Sequence, residues 1–567
     1  MSSRALPTLI IVWAALLALP GTASSQESKP YDLVITNGHI VDGTGSPWYS
    51  GDVGIRDGRV AAIGVLTGAA RKRTIDAKGK VVAPGFIDML GQSELSILVD
   101  PRLPSKIYQG ITTEITGEGE SVAPLNDAII KAREAQFSYL HIDADWRSFG
   151  QYFARLEKQG IGINVANYLG ATQVRELVLG YADVQPTAAQ LEAMKQVVRE
   201  AMKDGAVGVS TSLEYAPAPY AKTEELIALA AEAGTAGGIY ATHMRSEGDA
   251  IDAAIDETAR IGREAHIPVE IWHFKVGGVS NFGRMPEAVA RVNAARATGV
   301  DISADTYAYT AWSNNLSAFI PPWAHDGGNA QLVERLKDPA TRARIRADLL
   351  KPSKDWDNEW HEVPGPEAVM ITKVQNPKLL QFQGKRLTDV ARAWNKDPMD
   401  ALFDILIEDQ AFTECAVFGM SEPDVSFAVQ QPWVAFDNDS GGAAPEGLLG
   451  AEHPHPRAYG TFPRILRKYV REEKLLTLPD AIRKMSALPA QRMRLTDRGV
   501  LKQGMWADIV IFDPDTIRDL ATFENPNQLS QGMEYVLVNG VPVIEQGKMT
   551  GKLPGKVLRG PGYRPGT

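Results

Sequence analysis

Two histidines stand where a divalent metal could be held. His243 closes the run Gly237-Gly-Ile-Tyr-Ala-Thr, and His273 closes Pro268-Val-Glu-Ile-Trp. Each run reads as a short strand. Between them, alanines and isoleucines from Asp249 to Arg263 recur at helical spacing. Strand, His, helix, strand, His is a repeat of a parallel α/β barrel. It sets both imidazoles at the carboxyl ends of neighbouring strands, on the face where such barrels build their sites. Two neutral imidazoles there begin a metal site, and zinc suits them. The blander alternative is a pair of strand-end histidines satisfied by local hydrogen bonds; their paired context favours the metal.

The rest of the chain must position that pair. At 567 residues it exceeds an ordinary domain, yet a barrel with insertions takes most of that length. Apolar residues make up 44% and charged residues 23%, as in globular proteins. The net charge of −10 is spread along the chain with no basic block, which argues against nucleic acid or an anionic membrane as partner. Residues 1–25 read as an export signal: Arg4, an apolar run from Leu9 to Leu19, then small residues with cleavage expected near Ser24 or Ser25. The expected mature protein is exported, periplasmic or secreted, with no membrane association beyond export. The single cysteine, Cys415, allows no internal disulfide and reads as a buried thiol. No feature of the sequence specifies an oligomeric state.

Residues 26–85 read as short strands and turns, with hairpins expected at Asn37-Gly38 and Asp57-Gly58. Residues 496–567 repeat that style, as in Ala507-Asp-Ile-Val-Ile511. The two flanks predict one small β domain built from both termini. The centre, 86–495, alternates apolar runs with helical patterns, and candidate strands end at Asp88, Thr116, Leu169, Ser212, His243, His273, Asp305 and Asp437. Eight units predict a (β/α)8 barrel, α/β in class, with an insertion around 312–430 that begins in a Trp- and Pro-rich stretch.

The motifs Val82-Ala-Pro-Gly-Phe-Ile-Asp88, Gly110-Ile-Thr-Thr113, Gly208-Val-Ser-Thr-Ser-Leu-Glu-Tyr215 and Thr242-His-Met-Arg-Ser-Glu247 carry a family resemblance. It continues through His273-Phe-Lys275, Asp305-Thr-Tyr-Ala-Tyr309, His455 to Arg464 and Gly504 to Ile511. The chain resembles the amidohydrolase superfamily, and within it the N-acyl-D-amino-acid deacylases (D-aminoacylases). Two departures matter. The His-x-His that the family carries after Asp88 is replaced by Leu90 and Gln92, and neither is a good zinc ligand. The family's bridging cysteine falls in Gly117-Glu-Gly-Glu-Ser121, where Glu118 is preferred and Glu120 is the alternate.

The resemblance implies one zinc per chain, held by Glu118, His243 and His273 with water in the open position. It places the proton-transferring carboxylate at Asp439, with Asp437 two residues away as a loop-capping carboxylate or an alternate. It assigns substrate contacts to Tyr215, Lys275, Tyr307, Ser313 and Arg457. Lys275 and Arg457 suit an α-carboxylate, and Tyr307 suits a developing oxyanion. Asp305 is expected to support its loop and His455 to shape the turn before Arg457. The implied reaction is zinc-dependent hydrolysis of a linear amide in a small N-acyl-D-amino acid or related D-configured peptide. The alternatives are a dipeptidase or cyclic amidase of the dihydroorotase or hydantoinase type, and a binding protein with a degenerate metal site.

Overall fold

The β-branched and apolar runs form parallel strands in the computed structural model, which describes residues 29–565. The expected export signal at 1–25 lies outside the described residues. The barrel strands are β1 (Phe86–Asp88), β2 (Ile111–Thr116), β3 (Asn164–Asn167, resuming after Tyr168 as Leu169–Gly170) and β4 (Gly208–Ser212). They continue as β5 (Ile239–His243), β6 (Val269–Ile271), β7 (Ile302–Thr306) and β8 (Val434–Phe436). One parallel ladder joins β1, β2 and the first part of β3, and a second runs from Leu169–Gly170 through β8. β8 returns to the β1 end: Met89 N–H donates to Phe436 O at 3.3 Å, and Asp439 N–H donates to Leu90 O at 2.9 Å. The order is that of an eight-stranded barrel. β2, β4, β5 and β7 are buried along their whole length, as strands covered on both faces must be.

The eight expected strand ends fall at or within two residues of the observed ones. The largest offset is at β6. It stops at Ile271, and His273 follows in a left-handed conformation with φ 37°. The helix Ile251–Ala265 buries Ile251, Ile255, Ala259 and Gly262 on one face and stops at His266, itself left-handed at φ 52°. This helix fixes the spacing between β5 and β6, which run parallel with Tyr240 opposite Val269 and Thr242 opposite Ile271.

A nine-stranded sheet unites the two termini. Val81–Pro84 pairs antiparallel with Ile509–Phe512, setting Val82 against Ile511. Leu33, Ile35 and Ile55 from one end share a core with Ile509, Ile511 and Leu537 from the other. The Asp57-Gly58 hairpin forms as expected between Tyr49–Arg56 and Arg59–Gly64. Asn37-Gly38 does not make a hairpin. It lies inside the strand Leu33–Ile40 as a bulge, with Asn37 at φ 55° and a register shift between Ile35 and Gly38. The strand continues because His39 and Ile40 keep pairing with Ser50 and Tyr49. Val82 packs so near Gly38 that an added Cβ would lie 2.5 Å from its Cγ2.

Between β7 and β8 the chain builds a three-stranded antiparallel sheet from Trp312–Asn315, Val369–Lys373 and Glu414–Val417. Cys415 is buried in its middle strand. This layer and the turn at Asp357–Glu362 supply one wall of the cavity at the barrel mouth.

Candidate active site

A cavity of about 470 Å³ opens at the carboxyl ends of the barrel strands. At its floor, Glu118 follows β2, His243 ends β5 and His273 follows β6. Glu118 Oε1 lies 3.1 Å from His243 Nδ1 and 3.2 Å from His273 Nε2. The imidazoles meet edge to face with ring centroids 4.6 Å apart. Ligands about 2.1 Å from a tetrahedral zinc stand roughly 3.4 Å from one another. The carboxylate and two imidazoles therefore converge at nearly the spacing of a metal shell, and their chemistry is that of a zinc site. Both histidines are buried, and the Glu118 side chain is 12% exposed. Burial acts to raise the Glu118 pKa, but hydrogen bonds to His243 and His273 outweigh it and hold the carboxyl well below its ordinary range.

A carboxylate stands behind each imidazole, but at His273 the hydrogen bond to Nδ1 is made by Lys275 Nζ, and Glu247 Oε1 makes none. His243 Nε2 lies 2.8 Å from Glu214 Oε2, and His273 Nδ1 lies 2.9 Å from Glu247 Oε1. This leaves His243 Nδ1 and His273 Nε2 facing Glu118, as outer-shell carboxylates do for metal-binding histidines. Asp305 fixes the backbone at His273 by accepting its N–H at 2.6 Å. Asp437 is not a loop cap. Both its oxygens are buried without a hydrogen-bond donor, and it faces Asp305. Burial and the neighbouring Asp439 push Asp437 up to about 8, and Asp305 rises well above its ordinary value through burial and Asp437.

Asp439 reaches the site on a left-handed residue at φ 44° after β8. Its Oδ1 accepts from Gln92 Nε2 at 2.9 Å, and Arg457 Nη1 lies 2.8 Å from its Oδ2. The same Gln92 amide donates to Glu118 Oε2 at 2.7 Å. Gln92 thus spans Asp439 and Glu118. Burial raises the Asp439 pKa, with Arg457 opposing it. The loop bearing Asp439 is pinned from below by buried Lys106, whose Nζ donates to Asp88 Oδ2 at 3.0 Å, Asn438 Oδ1 at 2.8 Å and Ser440 O at 2.7 Å. Leu90 packs in an apolar cluster with Ile115 and Ala435.

The residues expected to touch substrate are near one another but engaged. Lys275 pairs with Glu247 and lies 2.9 Å from His273 Nδ1. Arg457 pairs with Asp439, while its buried Nε meets no acceptor. Ser313 lines the cavity; its Oγ donates to Cys415 O at 2.8 Å and its carbonyl accepts from Arg457 Nη2 at 3.3 Å. Tyr215 lines the cavity beside His243, ring centroids 5.0 Å apart. Tyr307 is buried behind the cations, its ring 4.8 Å from the Arg457 guanidinium, and it is not among the residues lining the cavity. His455 accepts the Arg457 N–H at Nδ1, 3.0 Å away, and so shapes that turn. Glu120, the alternate ligand, points elsewhere and meets Arg133 at 3.1 Å. Glu214 and Glu247 were not singled out from the sequence, although both lie inside the quoted motifs, one before Tyr215 and one four residues after His243.

The amidohydrolase family profile matches residues 73–349 and 450–544. An N-acyl-D-glutamate deacylase of Alcaligenes xylosoxydans xylosoxydans is 36% identical over 530 residues, covering 93% of this chain and 96% of that protein. The chain belongs to the amidohydrolase family. A D-aminoacylase from the same organism is also 36% identical to this amidohydrolase, over 94% of its chain and 99% of the relative. Among solved structures, the N-acyl-D-glutamate deacylase of Bordetella bronchiseptica superposes with a TM-score of 0.78 at 34% identity, over 94% of this chain and 100% of the other. That protein was crystallised with zinc and a phosphonate inhibitor that mimics the tetrahedral intermediate.

Proposed function

We propose that this amidohydrolase hydrolyses the amide bond of an N-acyl-D-amino acid or a closely related D-configured amide, with one zinc ion held by Glu118, His243 and His273. The observation that carries the reading is the convergence of Glu118 Oε1 on His243 Nδ1 and His273 Nε2 at 3.1 and 3.2 Å, beside Asp439 in the cavity at the barrel mouth. Relatives that deacylate N-acyl-D-amino acids along nearly the whole chain support it.

Zinc bound there supplies a polarised amide carbonyl and a water whose pKa falls to roughly 7. Asp439 accepts the water proton and returns it to the leaving nitrogen, the two transfers an amide hydrolysis needs. Gln92 holds Asp439 in place from one side and Arg457 from the other. Arg457 has donors left over for the substrate carboxylate, with Ser313 fixing its guanidinium. Lys275 pairs with Glu247 and makes the hydrogen bond at His273 Nδ1, and so holds that imidazole's orientation. Leu90 and Gln92 supply no imidazole where the resemblance places two more ligands, which supports one metal ion rather than two.

The test is a panel of N-acetyl amino acids in both enantiomeric forms, assayed with zinc-loaded and chelated protein. Zinc-dependent release of D-amino acids is the expected result. Cleavage of L-enantiomers alone, or of neither enantiomer by folded zinc-loaded protein, would sink the reading. We also propose that the protein is exported and cleaved near Ser24 or Ser25; an intact amino terminus on protein recovered from the producing cells would refute that.

A further inference from the structure

One wall of the cavity carries more carboxyl groups than the site chemistry uses. Glu214 backs His243, and Glu247 is matched by Lys275. Three more carboxyl groups, Asp357, Glu359 and Glu362, line the same cavity, and among the described residues no lysine, arginine or histidine lies within ion-pair distance of them. All three are at least nine-tenths buried. Asp357 is satisfied by Ser246 Oγ at 2.6 Å and by the backbone N–H groups of Glu247 and Gly248 at 2.7 and 3.1 Å. Those contacts tie it to the loop that follows ligand His243. Glu359 is different. Its carboxyl is approached by the side chains of Asn314, which donates to Oε1, and Trp312, while Oε2 is buried and makes no hydrogen bond. Glu362 Oε1 comes so near Gly248 that an added Cβ there would lie 2.2 Å from it. No donor reaches the Glu362 carboxylate among the described residues.

Buried carboxylates without a countercharge are costly, and an unpaired oxygen lining a cavity is a place for a ligand to pair. We propose that the wall formed by Asp357, Glu359 and Glu362 takes a cationic group of the substrate, an ammonium or a guanidinium. Tyr215 and Trp312 line the same cavity, and aromatic side chains commonly accompany such cations. Burial and then neighbouring carboxylates, Glu214 for Asp357 and Glu359, and Asp357 for Glu362, raise Asp357 to about 7 and the other two well above the carboxylate range, so a cation between them would let them ionise. The inference rests on the amide-hydrolysis reading and extends it. The cation sits either on the side chain of a basic D-amino acid or on a free amino group in the acyl part.

Two pairs of compounds separate these sources. N-acetyl-D-arginine differs from N-acetyl-D-citrulline in the side-chain charge, and glycyl-D-leucine differs from N-acetyl-D-leucine in the acyl-side charge. kcat/KM is measured with zinc-loaded full-length protein, and binding by calorimetry with the zinc-free protein. At least a tenfold preference for the charged member of one pair is expected, falling towards parity in Glu359→Gln and Glu362→Gln. Because each variant is read as a ratio, a loss of folded protein cancels. Parity in both pairs for the wild type overturns the proposal, as does a preference that survives both substitutions. A second divalent ion retained by wild type and lost in Glu359→Gln would also overturn it, by assigning the wall to a metal. If nothing is hydrolysed but N-acetyl-D-arginine still binds more tightly than N-acetyl-D-citrulline, amide hydrolysis fails and the cation subsite stands.

Discussion

Asp439→Asn should disable turnover without emptying the metal site. Asp439 is not one of the three convergent ligand residues; it touches Gln92 at 2.9 Å and Arg457 at 2.8 Å. An amide in its place still accepts from Gln92 but cannot take a proton from water. Removing a general base costs about 10²–10⁴-fold in rate, or roughly 2.7–5.4 kcal/mol of barrier. The fall should appear in kcat, with KM unchanged or lowered, because the freed Arg457 remains available to a substrate carboxylate. A separate effect should appear in stability. Arg457 and Asp439 form a pair with side chains only 4% and 7% exposed. Breaking a buried pair leaves an uncompensated charge and costs about 3–5 kcal/mol. The assay is kcat, KM and zinc content on whichever N-acetyl-D-amino acid the wild type cleaves, with urea unfolding alongside. A folded variant with full zinc and near-normal kcat would refute the base assignment. One that loses zinc in proportion to its activity would make Asp439 a ligand instead.

Glu118→Gln should lose zinc on dialysis and regain part of its activity in excess zinc; full zinc and full activity would place the third ligand elsewhere. Gln92→Ala removes the amide that spans Glu118 and Asp439, and loss of such outer-shell support should cost about 10–100-fold in metal affinity or activity; unchanged zinc affinity and kcat would show the bridge to be idle. Asp437→Asn should change how stability depends on pH. Its folded pKa of about 8 lies above the ordinary aspartate value of 3.8, so the native state binds the extra proton between those values. That contribution is complete below about pH 4 and is lost as pH rises towards 8, so the variant should lose less stability than wild type across that window in denaturant titrations. Parallel curves for the two proteins would contradict this.

The barrel was legible because its strands are short apolar runs that end in polar residues, and because helices of the expected period separate them. His243 and His273 stood out for that reason: each closes a run, and neighbouring parallel strands bring their ends together. What remained hidden depended on pairings distant in sequence. Asn37-Gly38 has the composition of a hairpin turn, but the strand beyond it already has partners, so the same residues make a bulge. Glu118 and Glu120 could not be separated by alignment. Gly119 between them is left-handed at φ 61° and packs so closely on Ser212 that a Cβ would lie 2.4 Å from that side chain. This turn sends Glu118 to the histidines and Glu120 to Arg133. The pairing of Arg457 with Asp439 and of Lys275 with Glu247 had no local signal at all. Gln92 was legible as a missing ligand but not as a bridge, because its two acceptors come from different strands.

The account rests on one catalytic metal at Glu118, His243 and His273, and zinc titration of chelated protein tests it most directly. Metal content and turnover of an N-acetyl-D-amino acid are read at each step. Activity should rise with zinc and level off at one equivalent per chain, and Glu118→Gln should shift the curve to higher zinc. Activity that needs no metal, or that levels off only at two tightly held equivalents, would contradict the account.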